Sequence, residues 1–284
     1  MIENEHGITV DKEGNNQEQE LVDEHFQGES IFWRDTYQRN DTLGIINRLR
    51  QAAALKYVDE LSLPKAARVL EIGCGAGLLA VALAQREFRV EAVDHAPAMV
   101  ELTRRHAKET GTDRLIHTAI EDVHQLTFED ESFDLIVALG LINWLYDLNK
   151  ALSEIARVLK HGGYTVLNSA RAHSLLNPLA IPPLESVLER VTREFKRAVL
   201  HNPQSVAPSH MYLPKEVNQY LCHASLTIIK STNVGFGPFR VLNHDMFPYQ
   251  GGVKIQQKLQ QYADRGYPIL RSAGAQYIVL ARKK

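Results

Sequence analysis

The stretch VLEIGCGAG, residues 69–77, constrains the fold more than any other part of the chain. An apolar run ends in a carboxylate, Glu71, and is followed by glycines at alternate positions, Gly73, Gly75 and Gly77. This reads as a buried strand running into a tight turn. Its backbone is bare enough for a ligand to lie against it, and the helix that follows points free amides toward that ligand. Several nucleotide folds share this arrangement. The dinucleotide fingerprint needs a glycine where this chain has Leu78, and the phosphate-binding loop needs a Gly-Lys-Ser/Thr that is missing. Glu71 also favours a cationic ligand over pyrophosphate, because a carboxylate in a partly dry crevice attracts positive charge strongly.

The remainder of the chain alternates in period. After an amphipathic helix over residues 43–61, the strands RVLEIG, RVEAVD, RLIHTAI, FDLIVALG and YTVLNSA are separated by LLAVALAQRE, AMVELTRRHAKETG, the loop EDVHQLTFEDES and LNKALSEIARVLKHGG. That order predicts a parallel sheet with helices on both faces and a ligand at the carboxyl ends of the strands, where the strand order reverses. Helix PKEVNQYLCHA and strands LTIIKSTNV and AQYIVLARK complete the pattern. Two excursions interrupt it. One spans 172–212 and is expected as an inserted helical cap, with Arg190, Arg193, Lys196 and Arg197 on its solvated face; the other spans 235–274 and carries His244 and Asp245. The folded domain is expected over 30–284. Residues 1–29 hold nine acidic residues against Lys12 alone and few large apolar ones, and are expected to be a flexible acidic tail.

Two cysteines among 284 residues, Cys74 and Cys222, form neither a disulfide framework nor a zinc site, and no HExxH is present, so no metal is expected. The longest apolar stretch, residues 135–142, is far below the roughly 18 residues of a membrane span, and no basic-then-apolar leader opens the sequence. A cytoplasmic location is the resulting expectation. Beyond the tail the positive excess is too small to argue for nucleic acid, which is not expected as a partner, and it is compatible with a polar or anionic small molecule. Oligomeric state stays open.

Asp94 ends the second strand, about twenty residues beyond the first glycine, where a carboxylate accepts hydrogen bonds from ribose hydroxyls. Asp122 follows the third strand, placed to take the amino hydrogens of an adenine, with the Val123 amide serving a ring nitrogen. A ligand touched by all three loops has an adenosine and a charged tail.

With these residues in place, VLEIGCGAG, VEAVDHAPAMVELTRRHA, EDVHQLTFEDESFDLIVAL and EIARVLKHGG together resemble the successive motifs of the class I S-adenosylmethionine-dependent methyltransferases. The resemblance spans residues 67–170. It implies an α/β, Rossmann-like, doubly wound seven-stranded sheet whose last strand is antiparallel, S-adenosyl-L-methionine as cofactor, and a small-molecule acceptor. It further implies that Gly73 and Gly75 line the methionine portion, that Asp94 holds the ribose and Asp122 with Val123 the adenine, and that Ala138 and Leu139 offer carbonyls to the ammonium. Cys74, Gly77, His95, Met99 and Glu121 stand beside these anchors and are assigned to the cofactor site with them. Many members of that family have a histidine where this chain has Trp144, which is expected to wall the pocket instead.

Trp33 and Tyr37 lie at i, i+4 and read as a packing pair; Tyr37 is also a candidate for the cofactor site, since an N-terminal segment often closes over it in such proteins. His173, His210 and Tyr212 bracket the cap and are the candidates for a general base. The Tyr146 to Lys150 spacing matches that of short-chain dehydrogenases, but the glycine pattern of those enzymes is absent, and Asp147 reads as a helix start. Methylation of oxygen on a medium-sized, partly apolar metabolite is the favoured activity. Nitrogen or carbon methylation, and cofactor binding without catalysis, stand as alternatives.

Overall fold

The computed structural model describes residues 12–28, 30–170, 209–237, 239–241, 244–245, 247, 249–271 and 273–284. Three helices come first, α1 (Lys12–Gly28), α2 (Ser30–Thr36) and α3 (Thr42–Glu60). The alternating part follows as β1 (Arg68–Ile72), α4 (Leu78–Ala84), β2 (Arg89–Asp94), α5 (Pro97–Glu109), β3 (Ile116–Ile120), β4 (Phe133–Ala138), α6 (Leu148–Val158) and β5 (Leu159–Ala170). Beyond it lie α7 (Pro214–His223), β6 (Leu226–Val234), the short β7 (Arg240–Val241) and β8 (His244–Asp245), α8 (Tyr249–Asp264), α9 (Pro268–Arg271) and β9 (Gln276–Lys283).

Seven strands form one sheet in the order β3-β2-β1-β4-β5-β9-β6. β1 to β5 run parallel, and β9 lies antiparallel between β5 and β6, as expected for the last strand. Because β1 pairs with both β2 and β4, the chain leaves it in opposite directions, and a crevice opens at the carboxyl ends there.

The apolar runs of the strands serve two cores, since successive side chains point to opposite faces. Val69, Leu135 and Val166 pack on one face with Tyr57 and Val58 of α3 and Leu83 of α4. Their neighbours Leu70, Ile136 and Leu167 pack on the other with Leu152 and Ile155 of α6 and Leu221 of α7. The register keeps these sets level, with Val69 opposite Leu135 and Leu70 opposite Ile136. β5 begins at Leu159, immediately after α6, and so takes in the KHGG segment that periodicity had placed on the helix.

The excursion over 235–274 folds into the β7–β8 pair, α8 and α9 around a small core of Phe236, Ala263 and Ala273. Of the cap expected over 172–212, residues 209–212 are described; His173 and the four basic residues of its expected helix lie outside the described residues.

The acidic N-terminal segment corrects the expectation of a tail. From Lys12 to Gly28 it is helical, and α1 packs on α5. Val22 is buried, and the Gln27 side chain accepts the Ala98 amide at the start of α5. Asp23 reaches the Nδ1 of His95 at 2.7 Å. That hydrogen bond raises the His95 pKa above its ordinary value against partial burial, with the charges of Asp23, Asp122 and Asp94 adding to it.

Two consequences can be measured. A histidine whose folded-state pKa is raised contributes stability that is fully present below its unfolded value of about 6.5 and is lost as pH rises through the folded value. Hydrogen-exchange protection of α1 should therefore fall as the pH rises above about 6.5, and Asp23→Asn should flatten that dependence. Gly77 has φ +78, and a Cβ there would lie 2.8 Å from Thr103 Cα, so Gly77→Ala should lower the unfolding free energy by roughly 2 kcal/mol or more in urea titrations.

Candidate active site

A cavity of about 430 Å³ lies over the crevice between β1 and β4. Its floor is the glycine turn. The Gly73 and Cys74 amides both donate to the Val93 carbonyl, at 2.8 and 3.0 Å, which folds the turn back toward β2. A Cβ on Gly75 would meet nothing within 4 Å, so the backbone at that residue faces open space, whereas the close approach at Gly77 serves the packing of the turn on α5. Gly77 is accordingly a packing residue and does not line the cavity, which corrects its assignment to the site. Cys74 lines the cavity and receives the Thr103 hydroxyl at 3.3 Å; burial pushes its thiol well above its ordinary pKa, with the charges of Asp94 and Glu71 adding to the effect.

Two carboxyl groups stand beside this turn. Asp94 accepts the Gly75 amide through Oδ2 and the Ala96 amide through Oδ1, each at 3.0 Å. Burial raises its pKa despite both hydrogen bonds. Glu71 is 3% exposed; burial foremost, and then the charge of Asp94, lift its pKa well above the ordinary value against a hydrogen bond from the Ala80 amide. Its Oε2 is buried without a partner. A cation in the cavity would relieve both groups at once.

The third wall is the loop after β3. Asp122 Oδ1 accepts the amide of His124 at 2.9 Å and its ring Nδ1 at 2.7 Å. Burial opposes the Asp122 charge, but these bonds outweigh it and hold the carboxyl below its ordinary pKa. The loop is pinned further along, where Arg157 donates to the Leu126 and Phe128 carbonyls and Glu154 accepts the Leu126 amide. Glu121 closes the loop on itself by accepting the Thr127 amide at 3.1 Å. Met99, Glu121, Asp122 and Val123 all reach the cavity.

On the β4 side Leu139 lines the cavity and Ala138 does not, its residue being fully buried in the strand. Trp144 walls the cavity as expected, stacked on His25 with centroids 5.5 Å apart and edge-on to Phe26 at 5.2 Å. Trp33 packs on Phe26 at 5.7 Å and also lines the cavity, so it is more than a packing residue. Tyr37 lines it too, its hydroxyl accepting from Arg50 Nη2 at 2.8 Å.

Of the candidate bases, His210 lines the cavity, with Nε2 4.0 Å from Glu18 Oε2. Asn143 holds it there: its carbonyl accepts the His210 amide, its side-chain Nδ2 donates to the His210 carbonyl, and its Oδ1 accepts the Ala170 amide. Tyr212 is corrected. It packs against Tyr220 away from the cavity, and burial pushes its hydroxyl up to about 12. Asp147 caps α6 by accepting the Lys150 amide, as a helix start should. Of His244 and Asp245, the backbone is described as part of the β7–β8 pair.

Sequence reasoning missed several lining residues: Gln19, Val22, Asp23 and Phe26 of α1, and Asn47 and Arg50 of α3. The recurrence of Val22 and Phe26 at i, i+4 in an otherwise polar segment was the available signal for α1. Among the described residues no cluster of potential metal ligands occurs, and no helix is long and apolar enough to cross a membrane.

Comparison with known proteins agrees with this geometry. Residues 70–167 match the family described as methyltransferase domain. The chain is 28% identical over 213 residues to a ubiquinone biosynthesis O-methyltransferase of Xylella fastidiosa (strain 9a5c), covering 73% of this chain and 78% of that one. It is similar in fold to a geranyl diphosphate C-methyltransferase from Streptomyces coelicolor A3(2), solved with S-adenosyl-L-homocysteine, with a TM-score of 0.55, 17% identity and coverage of 84% and 80%. It is also similar in fold to the [4+2]-cyclase SpnF, with a TM-score of 0.54, 17% identity and coverage of 82% and 80%. The motif order, the strand order and these relatives agree that residues 70–167 form a methyltransferase domain, in a chain similar in fold to S-adenosylmethionine-dependent methyltransferases.

Proposed function

We propose that this cavity holds S-adenosyl-L-methionine and that the enzyme methylates an oxygen atom of a small, partly apolar acceptor. The observation that carries the reading is the division of the cavity walls. Carboxyl groups gather on the β1 to β3 side, with Glu71 Oε2 buried and unpartnered, while the roof from α1, α2 and the turn after β4 is aromatic. The residues present fit the cofactor. Asp122 and the Val123 amide would take the adenine, Asp94 the ribose, and the bare backbone at Gly73 and Gly75 the methionine chain. Glu71 and the Leu139 carbonyl would face its ammonium and Arg50 its carboxylate. His95, Met99, Glu121 and Cys74 would close the nucleoside side, with Tyr37 holding Arg50 in place.

When bound, the cofactor supplies a methyl group already activated on a sulfonium. The chain then has to align an acceptor and keep water away. Phe26, Trp33 and Trp144 exclude water from the roof, and His210 stands where it can receive a hydroxyl proton at Nε2, with the Glu18 carboxylate beside it. Oxygen as the methylated atom is supported by the O-methyltransferase relatives, and the acceptor's partly apolar character by the aromatic roof.

Incubation with methyl-labelled cofactor and extracts of small metabolites tests the activity. A labelled small product is the expected result; saturable cofactor binding without product from any extract would favour a binding protein instead. His210→Ala should lower turnover of a hydroxyl acceptor about 10²- to 10⁴-fold and leave the affinity for S-adenosyl-L-homocysteine unchanged. Asp94→Ala should weaken that affinity by roughly 1 to 3 kcal/mol in calorimetry. Because a cation lowers the raised pKa of Glu71, cofactor binding above the ordinary carboxylate range should release protons, seen as a buffer-dependent enthalpy that Glu71→Gln reduces.

A further inference from the structure

The cofactor assignment leaves two polar groups in the same cavity without a role. Asn47 of α3 is 4% exposed, and its side-chain Nδ2 is buried with no hydrogen-bond partner. The indole Nε1 of Trp33, on the roof, is likewise buried and unpartnered. Buried polar groups in folded proteins are nearly always paired, and two orphans facing one cavity indicate a ligand that completes them.

Their chemistry limits that ligand. An indole can only donate, and an amide can turn its NH₂ toward the same partner, so the complement is an oxygen with free lone pairs. The Nε of Arg50, one helical turn beyond Asn47, is also buried without a partner and can only donate. Arg50 is the one Lys or Arg among the described residues lining the cavity, so positive charge is concentrated at this lobe, away from Glu71, Asp94 and Asp122. Two lone-pair directions and a negative charge together describe a carboxylate.

This lobe adjoins the place assigned to the cofactor's own carboxylate through Arg50. Arg50 covers Gly140 after β4, where a Cβ would lie 2.8 Å from its Nη1, so its outer nitrogens face the turn after β4. Asn47 stands a turn earlier on the same helix face, and Trp33 belongs to the roof cluster with Phe26, whose ring also packs edge-on to Trp144. We propose that Asn47 and Trp33 recognise a carboxylate on the acceptor, so that the substrate is an apolar body bearing an acid group. This rests on the cofactor reading above, with Arg50 shared between the two anions.

The test uses two probes of matched shape, 4-phenylbutyrate and 4-phenylbutan-1-ol, titrated calorimetrically into protein saturated with S-adenosyl-L-homocysteine. The acid should bind at least about tenfold more tightly than the alcohol. Asn47→Leu and Trp33→Phe should each remove most of that preference and leave the affinity for S-adenosyl-L-homocysteine within about twofold, which also reports that each variant is folded. Equal affinities, or no binding of either probe, overturn the proposal. So does a roughly tenfold loss of S-adenosyl-L-homocysteine affinity in folded Asn47→Leu, since the amide would then serve the cofactor. Wild-type protein that fails to bind S-adenosyl-L-homocysteine at all brings down the cofactor reading itself.

Discussion

The Asp94 carboxylate joins two turns that the sheet alone leaves separate. One oxygen takes the Gly75 amide after β1 and the other the Ala96 amide before α5, so the ends of two adjacent strands move as one unit. Everything on the acidic side of the cavity inherits its position from that bridge. Cys74 and Gly73 share the Val93 carbonyl just before it, and His95 just after it is the point where α1 is fastened. Burial disfavours the Asp94 charge despite both hydrogen bonds, and the Asp94 charge in turn adds to the burial that disfavours the charge of Glu71. A cationic ligand therefore gains from a field that already exists in the fold, without any rearrangement of side chains.

The same economy governs the roof. α1 is polar enough to read as unstructured, yet its Val22, Phe26 and Asp23 face inward to the cavity and α5. A helix held by so few apolar contacts has low local stability, and an ion pair that depends on His95 protonation makes up part of the difference.

What was legible in the sequence followed from burial on two faces. Strands such as LIVA are apolar throughout because each residue finds a core above or below the sheet, and all seven were placed within a few residues. The end of α6 was misplaced because KHGG carries no apolar period, and only pairing with β4 and β9 fixes where β5 begins. Asp94, Asp122 and the glycine turn were legible because loops after parallel strands must converge at the switch point. Asn47 and Arg50 were not, since polar residues on an amphipathic helix read as its solvated face; only the approach of α2 and the β4 turn encloses them. Tyr212 failed for the converse reason, a hydroxyl carried on a ring that the α6–α7 core claims.

Trp144 brings these threads together. Where relatives of this fold commonly have a polar ring, this chain presents an indole that is stacked on His25 and cannot accept a proton. Across the cavity His210 carries an imidazole, and Asn143, one residue away from Trp144 in the same 3-10 turn, holds His210 through two hydrogen bonds. The turn after β4 therefore does two things: Trp144 walls the cavity while Asn143 holds a histidine supplied by another segment. In a transfer from a sulfonium, positive charge is spread as the new bond forms, so an apolar wall at that point costs the transition state less than it costs the separated ions. Under the proposed activity, the indole of Trp144 on one side and His210 across from it meet that requirement and leave the buried donors of Trp33 and Asn47 for the proposed recognition of the acceptor.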